Sequence, residues 1–195
     1  MELTHEIILG SQSPRRAAFL TSLGLDFRTL PLDVDESAPA HLSGEEVAAY
    51  VSELKAKALS THLKSGQLGI TSDTEVWKNG KRFGKPADEV SAREMLIALS
   101  GTAHEVISGL TLVTTDNHTP LLTTETSVVT VYFSEIPDWA IDHYINHYKP
   151  FDKAGAYGIQ EWIGAGFIDR IEGNYNSVVG LDTAALFRLL LPFRK

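Results

Sequence analysis

Short apolar runs alternate along this chain with longer stretches whose apolar residues recur at helical spacing, so the pattern predicts strands interleaved with helices. Ile7, Ile8 and Leu9 read as a buried strand over 7–10. A helix follows, with Ser13 as N-cap, Pro14 at the first helical position and Gly24 as its stop. A second helix is expected from Ser43, where Ser43 and Glu46 have capping-box spacing, with Val47, Tyr50, Val51, Leu54 and Ala58 on one face and an end near Lys64. A buried strand over 68–71 comes next, then a hairpin over 75–83 turning at Asn79-Gly80, which leaves Asp73 at a strand end. Ser91 and Glu94 suggest another capping box, opening a helix through Met95, Leu96 and Leu99 that stops at Ser100-Gly101. Two long β-rich stretches, 106–115 and 121–133, are expected to pair antiparallel about a polar turn near Asp116, Asn117 and Pro120. Trp139, Ile141, Tyr144 and Ile145 suit a helix, 167–171 a strand and 181–191 a closing helix, while 173–176 reads as a plain loop. The fold class expected is mixed α/β.

Composition narrows the picture without changing it. A length of 195 residues, 43% hydrophobic, is enough for one self-sufficient domain spanning 1–195, with room for two lobes, and no repeat or low-complexity linker divides it. The absence of cysteine rules out disulfides and thiolate ligands, so a metal would have to sit on oxygen or imidazole, and a reducing compartment is expected. The seven histidines are read as offering no His-x-x-x-His or comparable metal spacing, so no zinc site is expected. No basic segment precedes the first apolar run, and no apolar run approaches the ~18 residues of a membrane span, so the expectation is a soluble, cytoplasmic protein with no membrane partner. A net charge of -8 argues against stable nucleic-acid binding, which rests on many cations meeting many phosphates, but leaves room for a small polyanionic substrate.

The strongest local signal for chemistry is Ser11-Gln12-Ser13-Pro14-Arg15-Arg16. A helix N-terminus offers unpaired N–H donors and partial positive charge, and Arg15 and Arg16 add cations where they oppose the helix dipole, which calls for an anion such as phosphate. Ser13 taken alone is also an ordinary cap. Asp73, after a buried strand, could hold Mg²⁺, deprotonate a water or cap the next turn. Glu36, in the acidic run Asp33-Val34-Asp35-Glu36, is either a metal ligand or solvated charge. Lys85 between Gly84 and Pro86 could touch phosphate or sit on the surface, and Lys55 could point inward or snorkel to solvent. His104 could be a ligand, a base or a structural residue. The segment from Phe151 to Gln160 combines charge, glycine and an amide. There Asp152 and Lys153 could line a site or pair within a turn, and Gln160 could read the edge of an imide-like base.

Taken together these residues resemble the Maf family from end to end. The resemblance rests on Ser-x-Ser-Pro-Arg-Arg at 11–16, Lys55-Ala56, Ser72-Asp73-Thr74, Gly84-Lys85-Pro86, Leu99-Ser100-Gly101 with His104, Asp152-Lys153-Ala154-Gly155-Ala156-Tyr157-Gly158-Ile159-Gln160, and the stretch from Asn176 to Leu181. It implies a mixed twisted sheet with flanking helices in two lobes, like the inosine triphosphate pyrophosphatases, with the active-site cleft between lobes and a homodimeric assembly. It implies hydrolysis of a nucleoside triphosphate, of the dTTP and UTP branch, to the monophosphate and pyrophosphate with Mg²⁺ or Mn²⁺. By position, Asp73 resembles the proton acceptor, and Arg15, Thr74 and Gln160 resemble selectivity determinants. The expected substrate-binding set is Ser11, Ser13, Arg15, Arg16, Lys55, Thr74, Lys85, Asp152, Lys153 and Gln160, with Glu36 and Asp73 on the metal. A nucleotide-binding regulator of septum formation is the alternative that the same resemblance leaves open. Four places depart from the family pattern: Ser72 for a usual Ala, Ser108 for Thr, Asp182 for Pro, and Tyr148-Lys149 for a frequent Gly-Glu pair. The last removes an acidic side chain near Asp152 and adds weight to Glu36 as a ligand.

Overall fold

The computed structural model describes residues 1–116 and 119–195. It is mixed α/β, as the apolar pattern predicts, and its seven-stranded sheet runs in the order β2-β1-β3-β5-β6-β7, with β4 beside β3. These strands are β1 (Glu6–Leu9), β2 (Phe27–Thr29), β3 (Gln67–Lys78), β4 (Lys81–Phe83), β5 (Ala103–Asp116), β6 (Thr119–Phe133) and β7 (Ile168–Glu172). The helices are α1 (Pro14–Ser22), α2 (Glu45–Ser60), α3 (Glu89–Leu99), α4 (Asp138–Tyr148), α5 (Trp162–Phe167), α6 (Tyr175–Val179) and α7 (Thr183–Leu190). The chain forms two compact units, unit 1 being Met1–Asp73, Ser108–Ser127 and Gly180–Lys195, and unit 2 Thr74–Ile107 and Val128–Val179. No described helix is long and apolar enough to cross a membrane. The turn expected near Asn117 lies outside the described residues.

In unit 1, β1 pairs in parallel with both β2 and β3, Ile7 opposite Leu68 and Leu9 opposite Ile70. Side chains of a strand alternate between faces. Ile7, Leu9, Leu68 and Ile70 therefore share one apolar core with Leu20 of α1 and Leu186 and Leu190 of α7. Ile8 turns the other way, onto Ala56 and Leu59 of α2 and Val113. The helix α2 comes close enough to require glycine beneath it, since a Cβ at Gly109 would stand 2.2 Å from the carbonyl oxygen of Ala48.

In unit 2 the hairpin occurs where Asn79-Gly80 places it. Both residues have positive φ, 50° and 73°, as a two-residue turn between twisted strands demands, and Trp77 pairs with Arg82 across it. The core gathers Leu96 and Leu99 of α3, Val129, Val131 and Phe133 of β6, Ile141 and Tyr144 of α4, and Ile163 of α5.

Several local expectations are corrected. The strand after Gly66 does not break at Thr71 but runs to Lys78, so Asp73 lies inside β3 rather than at a strand end or a turn cap. Gly44, not Ser43, caps α2, with φ of 52°; half the predicted box survives, because Glu46 Oε2 accepts from the Ser43 N–H at 3.2 Å. That helix ends at Ser60 rather than Lys64. The box at α3 is Asp88 with Ser91, one turn earlier than Ser91 with Glu94, because Asp88 Oδ1 accepts from the Ser91 N–H at 2.7 Å. The segment read as a plain loop at 173–176 opens the short helix α6.

Candidate active site

Unit 1 contains a compact charged centre built by strand alternation. Gly69 and Thr71 of β3 face α2, where the Thr71 hydroxyl donates to the Ser52 carbonyl at 2.7 Å. Asp73 has the same parity and meets the next inward residue of that helix, Lys55, whose Nζ donates to Asp73 Oδ1 at 2.7 Å. Lys55 Nζ also lies 3.1 Å from Glu36 Oε1. Lys55 and Asp73 are both buried, with side chains 10% and 9% exposed, whereas that of Glu36 is 43% exposed. The inward alternative for Lys55 is thus the one realised. A charge buried here without its partner would be costly, which ties the placement of each group to the other.

The opposite parity of β3 carries Ser72, whose hydroxyl donates to the Gly180 carbonyl at 3.2 Å. That same carbonyl accepts from Arg16 Nε at 2.8 Å, and Arg16 Nη1 reaches the Ser11 hydroxyl at 3.4 Å. Ser72 in place of Ala thus adds a second donor to the carbonyl that orients Arg16. Burial lowers the Arg16 pKa from its usual value, Asp73 opposes that shift, Arg15 adds to it and Glu36 opposes it, so all three lie within electrostatic reach of this guanidinium. Ser13 is the N-cap residue of α1 and Pro14 its first residue, but the Ser13 hydroxyl makes no capping bond. Its backbone N–H instead donates to the Ser11 hydroxyl at 3.1 Å.

Unit 2 carries the remaining expected residues. Thr74 follows Asp73 on β3 and is half-buried, while Lys85 and Gln160 are exposed. Lys153 Nζ pairs with Asp152 at 2.6 Å and with Glu161 at 3.1 Å, its side chain only 10% exposed. The segment between them crosses a short 3-10 turn, Ala154–Ala156, in which Gly155 takes φ of 68° and donates to the Gly84 carbonyl at 3.2 Å. Lys149, at the position where the family usually has Glu, ends α4 in a left-handed conformation and pairs with Glu89 at 2.9 Å. Asp182 accepts from the Ala185 N–H at 2.9 Å and so caps α7 where the family usually has Pro. Ser108 in place of Thr is buried in β5, and nothing in the structure explains the exchange.

Two tyrosine hydroxyls in unit 2, those of Tyr144 and Tyr157, find partners that sequence reasoning does not reveal. Tyr144 reads as one more apolar residue of α4, yet its hydroxyl donates to Glu161 and accepts from the Gly158 N–H at 3.1 Å. His104 Nε2 lies 2.7 Å from the Tyr157 hydroxyl, a structural placement. Desolvation, with a smaller contribution from Lys78, lowers the His104 pKa to about 4. The available signal was chemical rather than positional: a buried tyrosine hydroxyl needs a partner.

One His-x-x-x-His spacing does occur, His143 and His147 on α4, which corrects the reading of the histidines as lacking a metal-type pair. Their rings stack at 4.2 Å, and His147 Nδ1 lies 2.8 Å from the His143 carbonyl. Among the described residues no group of three or more His, Asp or Glu gathers as a metal cage. Glu36 and Asp73 nonetheless converge on one ammonium, so two carboxylates already share a single cation. That oxygen-only pair fits Mg²⁺ or Mn²⁺, which take one or two carboxylates and complete their shell with phosphate oxygens and water.

The family model described as Maf-like protein matches residues 6–193. A Flavobacterium johnsoniae protein named dTTP/UTP pyrophosphatase is 42% identical over 186 residues, covering 95% of this chain and 94% of that one. A Christiangramia forsetii protein of the same name is 44% identical over 186 residues, covering 95% and 93%. Among solved structures, the Staphylococcus aureus Ham1 protein aligns with 65% of this chain and 71% of its own at 18% identity and a TM-score of 0.41. With its family match running nearly from end to end and its site blocks in order, this chain belongs to the Maf family.

Proposed function

We propose that this chain hydrolyses dTTP and UTP between the α and β phosphates, giving the nucleoside monophosphate and pyrophosphate. The observation that carries the reading is the buried Asp73 held at 2.7 Å by Lys55, with Arg16 within electrostatic reach, in a Maf-family chain whose relatives bear that activity in their names.

Arg15, Arg16, Lys55 and the Ser11–Ser13 turn supply the cations and donors suited to a triphosphate. Asp73 orients a water, accepts its proton as the oxygen bonds to the α-phosphorus, and the pyrophosphate leaves with the bridging oxygen. Fixed placement and matched charge supply most of the rate. Glu36 and Asp73 would hold a divalent cation, Mg²⁺ or Mn²⁺, which when bound neutralises charge on the triphosphate. In unit 2 we assign Lys85 to the phosphates, Asp152 and Lys153 to the polar wall of the site, and Gln160, with Arg15 and Thr74, to base selectivity. The Gln160 amide has both donor and acceptor for the imide edge shared by uracil and thymine.

The test is pyrophosphate release by the purified protein with Mg²⁺ or Mn²⁺ across UTP, dTTP, CTP, ATP and GTP. Release confined to UTP and dTTP, and lost in Asp73→Asn, is the expected result. Nucleotide binding with no triphosphate cut would overturn the enzyme reading.

A further inference from the structure

We propose that Tyr144 and Glu161 are positioning residues for substrate selectivity, one hydroxyl and one carboxylate jointly setting the places of Gln160 and Lys153. The inference rests on the pyrophosphatase reading above and goes beyond it, because neither residue belongs to the motifs that suggest that activity.

The geometry is a closed chain of contacts within unit 2. The Tyr144 hydroxyl, on a ring fully buried in α4, accepts from the buried Gly158 N–H at 3.1 Å and donates to Glu161 Oε2. The other carboxylate oxygen of Glu161 lies 3.1 Å from Lys153 Nζ. The Glu161 N–H donates back to the Gly158 carbonyl at 3.0 Å, closing a tight turn that has Gln160 in it. Gly158 leaves the space this turn needs: a Cβ there would stand 3.0 Å from Gln160 Nε2 and 2.9 Å from Glu161 Cδ. Ile159 beside it is buried at 7% exposure, so the turn is anchored by an apolar side chain on one side of Gln160 and by Glu161 on the other.

Gln160 itself is exposed, and an exposed amide on an unsupported loop would sample many directions. Discrimination by hydrogen bonding requires a preorganised partner, because a wandering donor and acceptor pair accommodates wrong bases as readily as right ones. Lys153 would likewise swing freely were it not held between Asp152 and Glu161. The Tyr144 hydroxyl links both halves of this arrangement, touching the turn through Gly158 and the lysine through Glu161.

The experiment measures kcat and KM for UTP and CTP separately in wild type, Tyr144→Phe, Glu161→Ala and Glu161→Gln. Tyr144→Phe keeps the ring in the core and deletes only the hydroxyl. Its UTP over CTP preference in kcat/KM should fall by about tenfold, the scale of one well-placed base contact, mainly through a raised KM for UTP. Glu161→Ala should lose a comparable preference. Glu161→Gln, which keeps an acceptor for the Tyr144 hydroxyl, should recover most of it. A purely structural role would lower both nucleotides alike and leave the ratio unchanged, and that result in a folded Tyr144→Phe overturns the proposal. If wild type cuts neither nucleotide, the pyrophosphatase reading fails and the proposal falls with it. If wild type discriminates and all three variants discriminate equally well, the activity stands and only the positioning role is lost.

Discussion

The two units hold their functional side chains by different means. In unit 1 the fixing agent is charge: one buried ammonium, Lys55, grips Asp73 at 2.7 Å and Glu36 at 3.1 Å. In unit 2 the turn that carries Gln160 is held by a neutral hydroxyl, Tyr144 on Gly158 and Glu161, beside the ion pairs that hold Lys153, and a second hydroxyl, Tyr157, meets His104. A pair of opposite buried charges is strong but leaves a large penalty if either partner goes, whereas a hydroxyl holds a loop more cheaply and with sharper direction. Chemistry that handles a polyanion suits the first arrangement, and recognition of a flat polar edge suits the second.

The largest effect should come from breaking the charged arrangement at its reactive atom. Asp73→Asn keeps the shape and an acceptor for Lys55 but removes the group assigned to take the proton. Turnover should drop roughly 10²- to 10⁴-fold, the scale for loss of a general base, with nucleotide binding retained. Steady-state pyrophosphate release alongside nucleotide titration checks both halves, and near-normal turnover would remove Asp73 from the role. Removing the grip instead, Lys55→Met, leaves Asp73 buried with its main cation gone. Thermal or denaturant unfolding should show about 4 kcal/mol less stability, as for other broken buried pairs. A loss under about 1 kcal/mol, the range of exposed pairs, would mean that the ion pair is not what holds this centre.

How much of this contrast the sequence carried follows from the same physics. The charged centre was legible in part, because Ser11 to Arg16 combine residue types that conflict with a helix dipole unless an anion compensates. Asp73 stands out in the sequence but not its place, since Thr71-Ser72-Asp73-Thr74 has the small polar composition of a turn while the chain in fact continues as β3. Burial against α2 overrode the local tendency. The Lys55 to Glu36 contact joins residues from an irregular loop and a helix, and nothing in their spacing encodes it. In unit 2 the block containing Gln160 stood out, yet its supports did not. Tyr144 has apolar periodicity, so its hydroxyl was invisible to pattern, and Glu161 follows the motif by one position without belonging to it. The cap of α3 is hidden for a simpler reason: Asp88 and Ser91 have the same spacing as Ser91 and Glu94, and spacing cannot choose between overlapping boxes.

The hydroxyl-built arrangement can be probed through pH. His104 is buried at 2% exposure beside Tyr157 and Phe133, and desolvation, helped by Lys78, lowers its pKa to about 4. Its usual value is near 6.5, so between those limits the unfolded chain binds the proton that the fold refuses. The stability contributed by a neutral His104 is therefore complete above about pH 6.5 and is lost as pH falls towards 4, on the order of 3 kcal/mol at the lower end. Chemical denaturation from pH 7 to 4 should show this decline in wild type and a shallower one in His104→Gln, which cannot titrate but can still bond Tyr157. Parallel declines in the two proteins would place the acid sensitivity elsewhere.

The smallest expected effect is also the one that most sharpens the contrast. Gln160→Ala removes an exposed side chain that takes no part in the core, so stability should stay within about 0.5 kcal/mol of wild type. If the hydroxyl-held turn exists to aim this amide, its loss should narrow the preference for UTP and dTTP over CTP by about 1–3 kcal/mol while costing less in kcat on UTP itself. That outcome would separate the units by function as well as by construction: Asp73→Asn would then strike the rate with every nucleotide, and Gln160→Ala the choice among them. Rates that fall together for all bases in Gln160→Ala would instead assign the amide to general binding, and base selectivity would have to be sought at Arg15 or Thr74.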